Sequence, residues 1–182
     1  FEKLKIYIKK NFLKKNNKLI NKKTKRIVSA IMPTHVFGYT SNIIKLKKFA
    51  LENKIKLIED STEALGSFYK KTHLGLFGAV GVLSFNGNKM ITTAGGGALI
   101  TNNKNVYKKC LKLVTIGRKK SSKWIYDYDI RGYNYRMPSF NAALGLGQFK
   151  KLKKIISLKK KINLSYEKTF KNSEYLIINF QK

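Results

Sequence analysis

Two short stretches hold the residues of this chain best suited to chemistry. EDSTEALGS carries Asp60 and Glu63, and SFNGNKMITTAGGG carries Ser84 and Lys89. A lysine is no signal by itself in a chain with 35 of them, but Lys89 has a distinctive setting. It follows an apolar run at 79–85, is flanked by Ser84, Asn86 and Asn88, and precedes two threonines and three glycines. A lysine sheltered in a polar-lined pocket sheds its proton more readily, because desolvation disfavours the ammonium form. That is the property needed for a Schiff base with a carbonyl compound. The plainer alternative is a solvated loop lysine after a strand. Ser84 has two readings of the same kind: a hydroxyl for a bound phosphate, or one that satisfies local backbone at a strand end.

Asp60 closes the apolar run 55–59 and so falls at the carboxyl end of an expected strand, the edge where open α/β sheets bind ligands. A carboxylate there suits a metal, a ribose hydroxyl or a protonated ring nitrogen. The metal is disfavoured, because His35, His73 and Cys110 are scattered with no ligand spacing between them. The ribose hydroxyl needs a glycine-rich fingerprint about 20 residues upstream, and residues 33–42 hold one glycine. His35, just past the end of an expected strand, is a second pocket candidate, although a lone histidine is more often structural.

The elements that must position these residues follow from periodicity. Leu4, Ile8 and Phe12 recur at helical spacing, which predicts an amphipathic helix over residues 1–15, with a polar, turn-like segment over 16–26. Residues 27–32 read as a buried strand ended by Pro33. Gly38 breaks the chain, and Thr40 or Ser41 is placed to cap a helix in which Ile43, Leu46, Phe49 and Ala50 share a face. With the strand at 55–59 this is a strand–helix–strand unit, which implies parallel pairing. GLFGAVG at 75–81 repeats glycine every three residues; a strand follows it instead of a helix, so it is turn and packing chemistry, not a dinucleotide fingerprint. Further strands are expected at 79–85 and 98–101, and a helix at 105–116 with Leu111, Leu113 and Val114 inward. Residues 117–128, GRKKSSKWIYDY, read as a surface loop over a site, equally able to stack nucleobases or line a nucleotide-sugar pocket. Pro138 and Ser139 open a helix in which Ala142, Ala143, Leu146 and Phe149 can pack. The helical period continues over 150–171, and residues 175–180 begin another strand.

Composition bounds the function. At 182 residues the chain fits one domain able to bury a core. A net charge of +30 ordinarily suggests nucleic acid or an anionic membrane surface. Here 35 of the 39 basic residues are lysine, spread along the whole chain, and asparagine and isoleucine are abundant too. All three have A/T-rich codons, so compositional drift accounts for the bias without a ligand, and nucleic acid is a disfavoured partner. No apolar run approaches the roughly 18 residues that span a membrane. The single Cys110 suits a reducing cytoplasm.

Four ordered stretches, THVFGYTS, EDSTEALGS, SFNGNKMITTAGGGALI and IRGYNYRMPSFNAALGLGQ, resemble the DegT/StrS-type sugar aminotransferases, which use pyridoxal 5′-phosphate (PLP). In wording they are most similar to the enzymes that turn a 4-keto-6-deoxy nucleotide sugar into the 4-amino sugar, as in bacillosamine and legionaminic acid pathways. The resemblance implies an α/β fold of the PLP-dependent transferase fold type I, with a mainly parallel sheet flanked by helices. It also implies roles. Lys89 carries PLP, Asp60 keeps the ring nitrogen protonated, and Glu63 lies near the ring 3-hydroxyl, where the family more often has glutamine or histidine. Ser84 binds the cofactor phosphate, and Asn134 reaches the phosphate of the neighbouring subunit in a homodimer, with Arg131 and Arg136 as nearby anion binders. The implied substrates are a UDP-4-keto-6-deoxy amino sugar and glutamate, in cytoplasmic synthesis of surface polysaccharide or glycan. Residues 1–150 correspond to part of the PLP-binding large domain, and 151–182 to a linker helix and the start of a truncated small domain. Such enzymes are roughly twice this length, and this chain lacks the N-terminal phosphate cup and ring-stacking residue, so both ends look cut. The alternatives are an inactive fragment, a dehydratase-like relative, which typically has histidine at the lysine position, and a basic nucleic-acid-binding protein.

Overall fold

The computed structural model of the chain describes residues 1–119, 127–171 and 173. The chain opens with α1 (Glu2–Asn11), which lays Leu4 and Ile8 against the core. Contrary to the expected helix over 1–15, it stops at Asn11. Phe12–Lys15 (β1) then pairs antiparallel with Lys18–Asn21 (β2). The reason lies in the two residues between them: Asn16 and Asn17 take φ of 50° and 57°, the left-handed conformation of a tight hairpin turn that asparagine tolerates. Part of the segment expected to be turn-like is therefore strand, and Leu19 within it is buried.

β3 (Ala30–Ile31) is followed by α2 (Ile43–Glu52) and β4 (Lys56–Asp60). A small hairpin, β5 (Phe68–Tyr69) with β6 (Thr72–His73), leads to β7 (Val80–Ser84) and β8 (Gly97–Ile100). The main sheet has the order β3-β4-β7-β8; β3, β4 and β7 run parallel and β8 antiparallel to β7. The strand expected over 27–32 shrinks to two residues, with Ile27 51% and Met32 62% exposed. It lies at the edge of the sheet, with a neighbour on one side only, and Ile27 turns away to bridge Ile20 of the hairpin. Helix α2 is capped by Asn42, whose Oδ1 accepts the Lys45 N–H at 3.0 Å, in place of Thr40 or Ser41.

One face of the sheet carries the core. Ile43, Leu46 and Ala50 of α2 bury themselves with Leu19, Ile55, Leu57, Ala64, Leu74 and Phe77. Burial alternates along β4: Leu57 and Glu59 are buried, while Ile58 and Asp60 on the opposite face are half-buried. That opposite face looks onto α3 (Lys104–Val114) across a cavity of about 720 Å³. Helices α3, α4 (Ser139–Phe149) and α5 (Leu152–Phe170) have no fully buried residue. Leu111, Leu146 and Phe149, expected to pack, stay largely exposed because none of the described residues covers them. The strand expected at 175–180 and the middle of the expected loop, residues 120–126, lie outside the described residues.

Candidate active site

The carboxyl ends of two adjacent parallel strands, β4 and β7, build the site. Asp60 and Val82 are register partners, so Ser84, two residues further, shares the face of Asp60. Beyond β4 the backbone turns at once: the Ser61 N–H donates to the Val82 carbonyl at 3.0 Å, which seats residues 61–64 over the end of β7. Beyond β7 a tight turn, with the Lys89 N–H on the Asn86 carbonyl at 3.0 Å, brings Lys89 back towards that segment. There Lys89 Nζ meets Glu63 Oε1 at 3.5 Å. Two of the expected site residues are thus in direct contact, and the Lys89 side chain is 20% exposed.

Asp60 is held in place from both sides. The Thr62 N–H donates to Oδ1 at 3.2 Å and the Thr34 hydroxyl to Oδ2 at 3.4 Å. Burial alone would raise its pKa, but the bonds from Thr62 and Thr34 and the nearby His35 outweigh it and hold the carboxyl below the usual aspartate range. Glu63 is lowered as well, first by the Phe37 N–H that donates to Oε2 at 2.8 Å, against a small burial penalty, and then by Lys89. Ser84 Oγ accepts the Asn86 N–H at 3.3 Å, a local bond at a strand end. Asn134 is exposed and bridges Thr115 beside the end of α3. No described hydrogen bond or ion pair joins it to Asp60, Glu63 or Lys89. Its neighbour Arg136 lines the 720 Å³ cavity together with Thr62, Ser84 and Gly96. Among the described residues no three His, Cys, Asp or Glu side chains group as a metal site.

Three supports were not foreseen. Gln148 of α4 donates through Nε2 to the Thr92 carbonyl at 2.7 Å and accepts the Thr92 N–H at 3.2 Å, while Asn141 Nδ2 donates to the Thr93 carbonyl at 2.6 Å. Helix α4 thereby grips the segment that follows Lys89. The third is Glu59, fully buried and bonded to His35 Nε2 at 2.9 Å. It also accepts the N–H groups of Gly75, Phe77 and Gly78 at 2.7–2.8 Å. His35 is therefore a buried structural partner, and the signal for it was a glutamate at an inward strand position that nothing apolar explains.

A mainly parallel sheet with a lysine, two carboxylates and a serine at the carboxyl ends of its strands defines an α/β protein of the kind found in PLP-dependent aminotransferases. The DegT/DnrJ/EryC1/StrS aminotransferase family model matches residues 10–182, and the chain belongs to that family. The chain is 38% identical over 149 residues to GDP-perosamine synthase of Escherichia coli O157:H7, covering 82% of this chain and 40% of that protein. It is 32% identical over 158 residues to the UDP-4-amino-4,6-dideoxy-N-acetyl-beta-L-altrosamine transaminase of Helicobacter pylori, covering 87% of this chain and 41% of that one. Among solved structures, Helicobacter pylori PseC, an aminotransferase of pseudaminic acid biosynthesis, superposes with a TM-score of 0.78 at 28% identity, over 91% of this chain and 46% of that one. The Escherichia coli GDP-4-keto-6-deoxy-D-mannose-3-dehydratase, solved with hydrated PLP, superposes with a TM-score of 0.77 at 25% identity, over 85% and 44%. The chain thus spans less than half the length of these relatives. The family is PLP-dependent, and the fold expected from the sequence is the fold of these structures.

Proposed function

We propose that this chain is the portion of a PLP-dependent nucleotide-sugar aminotransferase that carries the reactive lysine, Lys89. The observation that carries the reading is the meeting of Lys89 with Glu63, with Asp60 and Ser84 on one sheet face at the neighbouring strand ends. The donor set fits PLP: an amine for its aldehyde, a carboxylate for its ring nitrogen, a second near its 3-hydroxyl, and a hydroxyl for its phosphate. When bound, PLP supplies the electron sink that makes the donor Cα–H acidic.

The residues of this chain do the rest. Asp60, whose pKa is held down by Thr62 and Thr34, would keep a proton on the ring nitrogen. Lys89 Nζ would take the proton from the donor Cα and return it at the cofactor's former aldehyde carbon, across the bridging nitrogen, acting as general base and then general acid. Ser84, whose Oγ accepts the Asn86 N–H, keeps its own O–H to donate and would hold the phosphate with it, and Asn134 would serve the phosphate of a second subunit. The exposed apolar side chains of α4, Phe140, Leu144 and Phe149, suit the subunit contact of a homodimer. Residues 1–150 form part of the cofactor-binding domain, and α5 links it to a second domain beginning within 151–182.

The amino acceptor is a 4-keto-6-deoxy sugar carried on a nucleoside diphosphate, with UDP preferred, and glutamate is the donor. Both relatives named above are named for nucleotide-linked sugars with an amino group, which supports the class. Production of cell-surface glycan in the cytoplasm follows from that substrate. The test is conversion of glutamate to 2-oxoglutarate by the native gene product with PLP and UDP- or GDP-linked 4-keto-6-deoxy sugars. Turnover is expected with one of them and is lost in Lys89→Ala; a Lys89→Ala protein that turns over normally contradicts the proposal.

A further inference from the structure

The active-site lysine is tied, through a chain of hydrogen bonds, to a buried ionisable pair on the opposite face of the sheet. The Glu59 side chain is wholly inaccessible to solvent, as is the His35 ring whose Nε2–H it accepts at 2.9 Å. A carboxylate so buried is costly unless every lone pair is used. Glu59 uses them on His35 and on three backbone N–H groups of the 75–78 turn. A buried pair bonded this completely fixes the position of every group that bonds to it. It orients two things. One is the 75–78 turn, from which β7 runs directly to Ser84 and Lys89. The other is the loop that starts at His35. Its N–H donates to the Asp60 carbonyl at 2.9 Å and its carbonyl accepts the Gly38 N–H at 3.0 Å. These bonds close a 3₁₀ turn in which Phe37 has a positive φ of 53°. That conformation is unfavourable for phenylalanine and persists only when the surroundings impose it. It aims the Phe37 N–H at Glu63 Oε2, at 2.8 Å, and Glu63 Oε1 faces Lys89.

We propose that the His35–Glu59 pair is a positioning device for Lys89: by anchoring the 35–38 turn it fixes the Glu63 carboxylate against which the lysine amine is set. The inference rests on Lys89 being the reactive lysine, but its test needs neither PLP nor turnover, so the two fail separately. The chain is acetylated under native conditions at one pH with a limiting amine reagent, and modification at each lysine is read by peptide mass spectrometry. Lys153, exposed on α5, is the internal standard. His35→Ala and Glu63→Gln are each expected to raise the Lys89-to-Lys153 ratio roughly two- to fivefold, the size of a lost, partly exposed ion-pair tether. The double variant is expected to go no further than either single one, because the two act in series. His35→Gln, whose amide N–H replaces Nε2–H towards Glu59, is expected to keep the wild-type ratio. A ratio unchanged in His35→Ala or in Glu63→Gln, additive effects in the double variant, or failure of His35→Gln to restore the ratio would each overturn the proposal. So would loss of the folded circular dichroism signal in both His35 variants, since the pair would then be a determinant of folding only.

Discussion

Asp60 and Glu59 are adjacent in sequence, yet the alternation of β4 sends them to opposite faces and into opposite tasks. Asp60 is half-buried on the ligand face and held as a carboxylate by two threonines. If Asp60 holds the ring proton as proposed, Asp60→Asn keeps its shape but removes that charge, and kcat in the intact enzyme is expected to fall by about three orders of magnitude. A variant that turns over normally would refute the ring-nitrogen role. Glu59, beyond the positioning proposed for it, also contributes to stability. Burial pushes its pKa up, but His35 and the Gly75 and Gly78 N–H groups push it down further, to a net position below the usual glutamate range. A depressed carboxyl stabilises the fold above its unfolded pKa, and that stability is lost as pH falls through the lower, folded value. The urea midpoint of the chain is therefore expected to drop as pH falls below about 5. Glu59→Gln is expected to cost about 2–4 kcal/mol at pH 7 and to flatten that acid slope, checked by urea titrations at several pH values. The placement of Lys89 and Asp60 at strand ends was legible in the sequence because polar residues crowd there. The work of Glu59 was not, because its partners, His35 and the 75–78 turn, lie far from it along the chain.

At the scale of elements, the 75–78 turn shows what a glycine repeat is for. A Cβ on Gly78 would stand 2.3 Å from the Leu57 carbonyl oxygen, and one on Gly75 would meet Ser61 Oγ at 2.8 Å. The turn must therefore lie flat on β4 for its N–H groups to reach Glu59. Gly78→Ala forces the turn off β4 and is expected to destabilise the fold by about 2–4 kcal/mol, read as a lower urea midpoint with unchanged slope. An unchanged midpoint would show that the turn is free to lift. The sequence displayed the parallel strand–helix–strand unit clearly, because α2 and β4 have strong periods and sit in the core. It hid the β1–β2 and β5–β6 hairpins, whose strands of four and two residues are too short for alternation to register. It also overstated burial on α3 and α4. Apolar periodicity reports which face seeks a partner, and among the described residues that partner is absent.

At the scale of the molecule, strand β8 is an edge and a 720 Å³ cavity lies beside it, bordered by Ser84, Gly97 and Arg136. Ser84 and Arg136 are the phosphate-ligand candidates that border it, and in the proposed reading Asn134 would serve another subunit. Each charge-assisted hydrogen bond that a bound phosphate goes without weakens its binding by about 1.5–3 kcal/mol. The 182-residue chain by itself is accordingly expected to hold PLP weakly and to show no transamination of a keto-sugar nucleotide with glutamate. Turnover by the purified chain that disappears in Lys89→Ala would show this expectation wrong. A yellow colour would not bear on it, since any exposed lysine can react with the aldehyde. The most direct measurement for the account as a whole is borohydride reduction of the native gene product with substoichiometric PLP, followed by peptide mapping. The pyridoxyl group is expected on Lys89, within the peptide that begins after Arg or Lys and contains SFNGNK. A label spread over surface lysines, or concentrated on a different one with Lys89 unmodified, would contradict the assignment on which the site rests.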